Sequence, residues 1–115
     1  MPINYDGRIF GGVANSANGE VSSQTRLHYH QQGSVVWATL SGGNIRWGTL
    51  LAIADENGRL DMRYQHINEA GELKTGTCQA EPEVLPDGRL RLHERWQWTC
   101  GDFSKGESVI EEVRE

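Results

Sequence analysis

One stretch, Asn44 to Ile67, constrains what this 115-residue chain can fold into. Apolar and polar residues alternate through it, and Asn57-Gly58 interrupts it near the middle. Asn-Gly is the strongest short-range hairpin signal, because both residues tolerate the positive φ of a type I′ turn. A two-residue turn there sets Glu56 opposite Arg59, Ile53 beside Met62, Leu51 beside Tyr64 and Thr49 beside His66. Side chains in a strand point alternately to the two faces, so the last six of these share one face.

Similar turn signals recur at Asn18-Gly19, Gln32-Gly33, Gly42-Gly43, Ala70-Gly71, Asp87-Gly88 and Lys105-Gly106. Little helical pattern lies between them, and their spacing of roughly 10 to 17 residues is the rhythm of a barrel or sandwich. The strands expected are Asp6–Ala14, Glu20–Gln31, Ser34–Ser41, Asn44–Asp55, Gly58–Ile67, Gly71–Glu81, Gly88–Thr99 and Gly106–Arg114. With two-residue loops throughout, the registers agree on one face. It carries Leu27, Tyr29, Val36, Ala38, Leu40, Ile45, Trp47, Thr49, Leu51, Ile53, Leu60, Met62, Tyr64, His66, Leu73, Thr75, Thr77, Leu90, Leu92, Glu94, Trp96 and Trp98. His28, His30, Arg46, Asp61, Arg63, Gln65, Lys74, Arg91, His93, Arg95 and Gln97 take the other face, with Trp37, Leu50, Ala52 and Ala54 as apolar exceptions.

A meander with one apolar face must bury it, and no amphipathic helix is long enough to cover it. Closing the sheet on itself answers both burial and exposed edges. The expected fold is therefore all-β: a single domain over residues 1–115, an up-and-down antiparallel barrel of about eight strands. Fourteen glycines, three prolines and four tryptophans suit strands joined by tight turns. Net charge is -5 and no basic stripe is present, which argues against a nucleic-acid partner. No apolar run reaches the roughly 18 residues that a membrane helix needs. Met1 to Phe10 lacks the cationic lead and apolar centre of a signal peptide, so a cytoplasmic protein is expected.

The inner face is not purely apolar. Thr49, Thr75, Thr77 and Gln79 are turned inward, and Tyr29, Tyr64, His66, Glu94, Trp47, Trp96 and Trp98 bring polar atoms along with rings. A barrel of this size either fills its interior or holds one small ligand, and both outcomes are open here. The ligand reading places an apolar or aromatic small molecule against Tyr29, Trp47, Tyr64, Trp96 and Trp98, with Glu94 and His66 as polar anchors. Glu94 is the sharpest position, since a carboxylate on an apolar face is costly unless paired or neutralised. It could accept a donor from a ligand or serve as a general base. A filled barrel would instead use Trp37, Leu50, Ala52 and Ala54 as a contact in a homo-oligomer.

Other chemistry has little footing. His28, His30 and His93 share the outer face but do not form a converging ligand set, so neither metal nor cofactor is expected. Cys78 and Cys100 fall about 10 Å apart along the strands, too far for a disulfide. Asp61 and Arg63 form a surface pair of small energetic worth. Nucleophile-elbow, phosphate-loop and zinc-hydrolase motifs are absent.

Several runs resemble a family of small bacterial proteins. They are Asn18-Gly19-Glu20, Ser41-Gly42-Gly43, Asp55-Glu56-Asn57-Gly58, Asp61-Met62-Arg63-Tyr64-Gln65-His66, Arg91-Leu92-His93-Glu94-Arg95-Trp96-Gln97-Trp98 and Gly101-Asp102-Phe103-Ser104-Lys105-Gly106. Members often carry the name N-acetylglutamate synthase. The resemblance implies a lipocalin-like barrel in the broad calycin sense, and by name an acetyl transfer to glutamate. It carries no catalytic residue onto this chain. Acetyltransferases of the usual fold hold the coenzyme A pyrophosphate on a glycine-rich loop that opens a helix. The nearest run, Arg8-Ile9-Phe10-Gly11-Gly12-Val13, lies on an expected strand.

Overall fold

The computed structural model describes residues 3–114. Eight strands follow one another without a helix: β1 (Ile9–Asn15), β2 (Arg26–Gln32), β3 (Val35–Gly42), β4 (Ile45–Ala54), β5 (Leu60–Asn68), β6 (Leu73–Val84), β7 (Leu90–Trp98) and β8 (Lys105–Glu112). Each pairs antiparallel with its neighbour in sequence, and β1 pairs with β8, Phe10 opposite Glu112 and Gly12 opposite Ile110. The sheet is a closed up-and-down barrel, as the alternation and the turns predict. Closure leaves no row of unpaired backbone groups along an edge. Most strand bounds differ from the expected ones by a residue or a few, and the largest difference is at β2: Glu20 to Thr25 is a loop, and the strand begins only at Arg26.

The turns differ from expectation in a systematic way. Asp55 N–H donates to the Arg59 carbonyl at 2.9 Å, and Gly58 N–H donates to the Asp55 carbonyl at 3.0 Å. The loop is thus Glu56-Asn57-Gly58, three residues. Gly58 has φ +81° and Asn57 is not in the left-handed region, so a type I′ turn is ruled out. The Asp55 carboxylate favours this form by accepting the amides of Asn57 and Arg59, both at 2.9 Å. The same design joins β5 to β6 (Asn68 to Glu72, Gly71 at φ +81°) and β6 to β7 (Leu85 to Arg89, Gly88 at φ +88°).

A fourth one-residue departure sits inside β4. Gly42 stands opposite Ile45 but Leu40 opposite Gly48, so three β4 steps face two on β3. The β5 side shows the same extra residue, with Ile45 opposite Asn68 and Trp47 opposite Ile67. This is a β-bulge, and beyond it every side chain of β4 changes face. The four departures cancel in pairs. The bulge flips β4, the β4–β5 loop restores β5, the β5–β6 loop flips β6, and the β6–β7 loop restores β7. Faces therefore come out as expected for β2, β3, β5 and β7, and reversed for most of β4 and for β6.

The corrections follow. Trp47, Thr49, Leu51 and Ile53 point outward, and Trp47 is 58% exposed. Leu73, Thr75, Thr77 and Gln79 also lie on the outer side, Gln79 donating to the Asp61 carboxylate at 2.6 Å. In their place Gly48, Leu50, Ala52, Gly76, Cys78 and Ala80 are buried. Leu50 and Ala52 are core residues and cannot form a subunit contact, and Ala54 packs partly buried against the core. Trp37 alone of that set is exposed.

The barrel interior has two halves. One end is filled by Phe10, Tyr29, Leu60, Leu90, Leu92 and Ile110, all almost fully buried. Tyr5, from the segment before β1, plugs that end with its ring 5.9 Å from Tyr29 and its hydroxyl on the Gly58 carbonyl. The other end is built from larger rings, and inward glycines make room for them. Tyr64 pairs across the ladder with Gly76, Trp96 with Gly106 and His66 with Gly48. A Cβ at Gly76 or Gly106 would overlap the Tyr64 or Trp96 ring, and one at Gly48 would overlap the His66 side chain. Glycine inside a strand marks such a close approach.

The reversed face of β4 has a direct check. Leu50→Ala is expected to destabilise by about 2–5 kcal/mol, as for a buried leucine. Leu51→Ala should change stability by no more than about 0.5 kcal/mol, as for an exposed site. Urea unfolding midpoints of the two variants would reverse if the bulge were absent.

Candidate functional site under the β1–β2 loop

At the ring-lined end, a cavity opens among strands β2 to β8 beneath the β1–β2 loop. Its wall includes Leu50, Met62, Tyr64, His66, Cys78, Glu94, Trp96, Trp98 and Ser108, and its roof Gly19, Glu20 and Val21. The cavity volume is about 50 Å³. That is several times the roughly 10–15 Å³ a single water requires, so the space takes a small molecule or the head of a larger one.

The roof is tied to the rings by hydrogen bonds. Trp96 Nε1 donates to Asn15 Oδ1 at 3.2 Å, and Trp98 Nε1 donates to the Asn18 carbonyl at 3.1 Å. Asn15 Nδ2 donates in turn to the Val21 carbonyl at 3.0 Å. His66 Nε2 meets Glu20 Oε1 at 2.6 Å, and Asn68 Nδ2 donates to Glu20 Oε2 at 3.0 Å. The loop holds its own shape through Gly19 N–H on the Ser16 carbonyl at 2.9 Å and Ser22 N–H on Thr25 Oγ1 at 3.0 Å. The β3–β4 turn closes against it, the Gly42 carbonyl accepting from the Thr25 hydroxyl. The indole donors and His66 thus have partners from the loop. A ligand reaching them must replace those bonds.

Glu94 differs. Its side chain lies on the inner face of β7 and is buried, and its hydrogen bond is one from the Ser108 hydroxyl to Oε1 at 2.8 Å. The groups around it are uncharged: Tyr29 on β2, Tyr64 on β5, Cys78 on β6 and Ser108 on β8. Burial pushes the carboxyl up to about 7, against the opposing pull of the Ser108 bond. Burial also holds the Tyr29 and Tyr64 hydroxyls and the Cys78 thiol well above their ordinary ranges, so all three are neutral. Cys78 is therefore not an activated nucleophile.

Of the residues singled out from sequence, Tyr64, His66, Glu94, Trp96 and Trp98 come together on this cavity. Their rings are close: Trp96 to Trp98 at 5.4 Å, and Tyr64 and His66 each 5.9 Å from Trp98. Two do not join them. Trp47 is carried to the outer surface by the bulge. Tyr29 is inside but in the filled half, 4.8 Å from Phe10, and its buried hydroxyl has no hydrogen-bond partner among the described residues. Sequence reasoning missed Asn15, Glu20, Leu50, Cys78 and Ser108. Ser108 was accessible by extending the alternation into β8, where it shares a face with Ile110. Leu50 was signalled by the run of apolar residues on the supposedly polar side of β4. Elsewhere, His93 faces outward and pairs with Glu83 at 2.8 Å. Among the described residues no three His, Cys, Asp or Glu side chains converge to hold a metal ion.

A closed eight-stranded antiparallel barrel with a cavity inside one end is the architecture of a calycin-type protein. The chain belongs to the Avidin-like family, described as "Avidin-like protein", whose model matches residues 3–113. No curated protein and no solved structure matched the chain. The barrel half of the sequence resemblance is thereby met, whereas the N-acetylglutamate synthase name has no counterpart in the family matched.

Glu94 makes stability depend on pH in a definite direction. Between the ordinary value of 4.5 and about 7 the folded chain holds a proton that the unfolded chain releases. The stabilisation is complete below 4.5 and is lost as pH rises to about 7, in total about 3 kcal/mol. Glu94→Gln keeps the shape and removes the titration. Denaturation at pH 5 and pH 8 should show parent and variant drawing apart by about that amount, the variant gaining at pH 8. A difference that does not vary with pH would contradict this account of Glu94.

Proposed function

We propose that this protein is a small-molecule-binding barrel whose ligand lies in the cavity beneath the β1–β2 loop, against Tyr64, Trp96 and Trp98, with Glu94 as a polar contact. The observation that supports it most is the contrast between the two halves of the interior. One is packed to closure, and the other leaves aromatic walls around a carboxyl that has a single internal partner. Enclosed apolar space with a few convergent polar groups is the usual form of a small-ligand site. Avidin-like barrels bind small ligands such as biotin, which accords with this reading and puts biotin among the compounds to try. His66 takes part only when Glu20 gives way, so loop movement accompanies entry of anything larger than the cavity.

Tryptophan fluorescence titrated with biotin and a panel of small aromatic and aliphatic metabolites provides the test. A true ligand should quench or shift Trp96 and Trp98, and Trp96→Phe should weaken it by about tenfold or more. A folded wild type that responds to nothing in the panel, with Trp96→Phe altering stability alone, would count against the reading.

Self-association has one observation in its favour. On the outer surface Val35 pairs with Ile53 and Trp37 with Leu51, all four exposed. This places an apolar strip across β3 and β4, and contiguous strips of this kind mark interaction sites. A second copy would cover it through the same patch on both partners. Sedimentation of wild type and Leu51→Lys across a hundredfold range of concentration should show the variant dissociating first. A wild type that stays monomeric throughout removes this reading.

A further inference from the structure

Glu94 Oε1 accepts from Ser108, while its other carboxylate oxygen has no hydrogen-bond donor among the described residues. Glu94 is among the residues that line the cavity, and that oxygen is its unengaged acceptor. Among the described residues its near neighbours are the uncharged Tyr29, Tyr64, Cys78 and Ser108, while the charged groups at this end are engaged elsewhere, Glu20 with His66 and Lys74 over Trp98. A buried carboxylate without a cation is expensive, and two remedies exist: a proton or a positively charged partner. The cavity supplies the setting for the second. Trp96 and Trp98 stand 5.4 Å apart with Tyr64 5.9 Å from Trp98, and ring faces attract ammonium groups within about 6 Å. Trp98 already shows this chemistry, for the half-buried Lys74 places its ammonium 4.9 Å from the ring centroid.

Resting on the proposed ligand site, we infer that the cavity selects a small primary alkylammonium, its N–H groups on the free oxygen of Glu94 and its cationic head among Tyr64, Trp96 and Trp98. A primary ammonium meets both demands at once, bringing donors to an acceptor that lacks them and charge to a carboxylate that lacks a counter-ion. The limited volume favours a short chain. Lys74 carries like charge beside Trp98, so the head group must sit on the Glu94 side of the rings rather than at Lys74. Binding is linked to loss of the Glu94 proton, and no covalent step is involved.

Isobutylamine and its neutral isostere isobutanol separate charge from shape. The amine is cationic throughout pH 5.5 to 8, so any change in that window belongs to the protein. Saturation-transfer NMR with the wild type at pH 8 should show the amine bound at least tenfold more tightly than the alcohol. At pH 5.5 Glu94 is protonated, and the affinity for the amine should fall about 30-fold while that for the alcohol holds. In Glu94→Gln, with folding verified by its urea midpoint, the preference should shrink to within about threefold at both pH values. Equal binding of amine and alcohol by the wild type would overturn the ammonium inference and leave the cavity standing as a ligand site. Unchanged amine binding in Glu94→Gln would overturn the placement on Glu94. Failure of both probes in a folded wild type, together with a silent metabolite panel, would overturn the ligand-site reading itself.

Discussion

The cavity exists because three inward strand positions lack a side chain. Tyr64, Trp96 and His66 each stand opposite a glycine on the neighbouring strand, and each would collide with any Cβ placed there. An eight-stranded barrel is only just wide enough for its own side chains to fill. Large rings at one level therefore need absent side chains at the same level. At the other end no such exchange is made, and Phe10, Tyr29, Leu90, Leu92 and Ile110 close the interior. The glycines weaken their strands locally, yet Gly48 and Gly76 are paired on both sides and Gly106 is paired with β7.

That arrangement ties the loop to the barrel. Rings leaning on glycines turn their polar atoms toward the open end, where Trp96 and Trp98 donate to Asn15 and Asn18 and His66 meets Glu20. The β1–β2 loop is thus ordered by the same side chains that make the cavity wall. Local order there rests on a handful of polar contacts, with Val21 the loop residue packed against the apolar core. Regions held in this way open at lower free energy than a packed core. A roof of this kind can give way to a ligand without disturbing the Tyr5 plug or the filled half beneath it.

Most of the architecture is legible in the sequence, because alternation and glycine-marked turns are local signals that repeat along the whole chain. Which residues face inward is harder to read. Asn57-Gly58, Ala70-Gly71 and Asp87-Gly88 look like two-residue turns, yet each glycine is the last residue of a three-residue loop. What distinguishes the two is whether the residue before glycine also takes positive φ, and the dipeptide alone does not decide that. The β4 bulge left a trace that could have been followed. Leu50, Ala52 and Ala54 on a nominally polar face were a phase reversal, not three exceptions. Tyr64, His66, Glu94, Trp96 and Trp98 were placed inside correctly because they lie on β5 and β7, where the departures cancel. Trp47 was not, because it lies just beyond the bulge.

Glu94 brings these threads together. It stands where the filled half meets the hollow half, with Tyr29 on the packed side and Trp96 and Trp98 on the open side. In the packed half a carboxyl would have to stay protonated or disrupt the core. In the open half it would be solvated and ordinary. At the junction burial holds it close to the midpoint of titration near neutral pH, so little is needed to tip it either way. Ser108 supports the ionised form but does not neutralise it, and among the described residues the cation at this end, Lys74, lies over Trp98 rather than on Glu94. Gln at the same position would keep the Ser108 bond without the desolvated acid, so the carboxyl is a cost that packing alone does not explain.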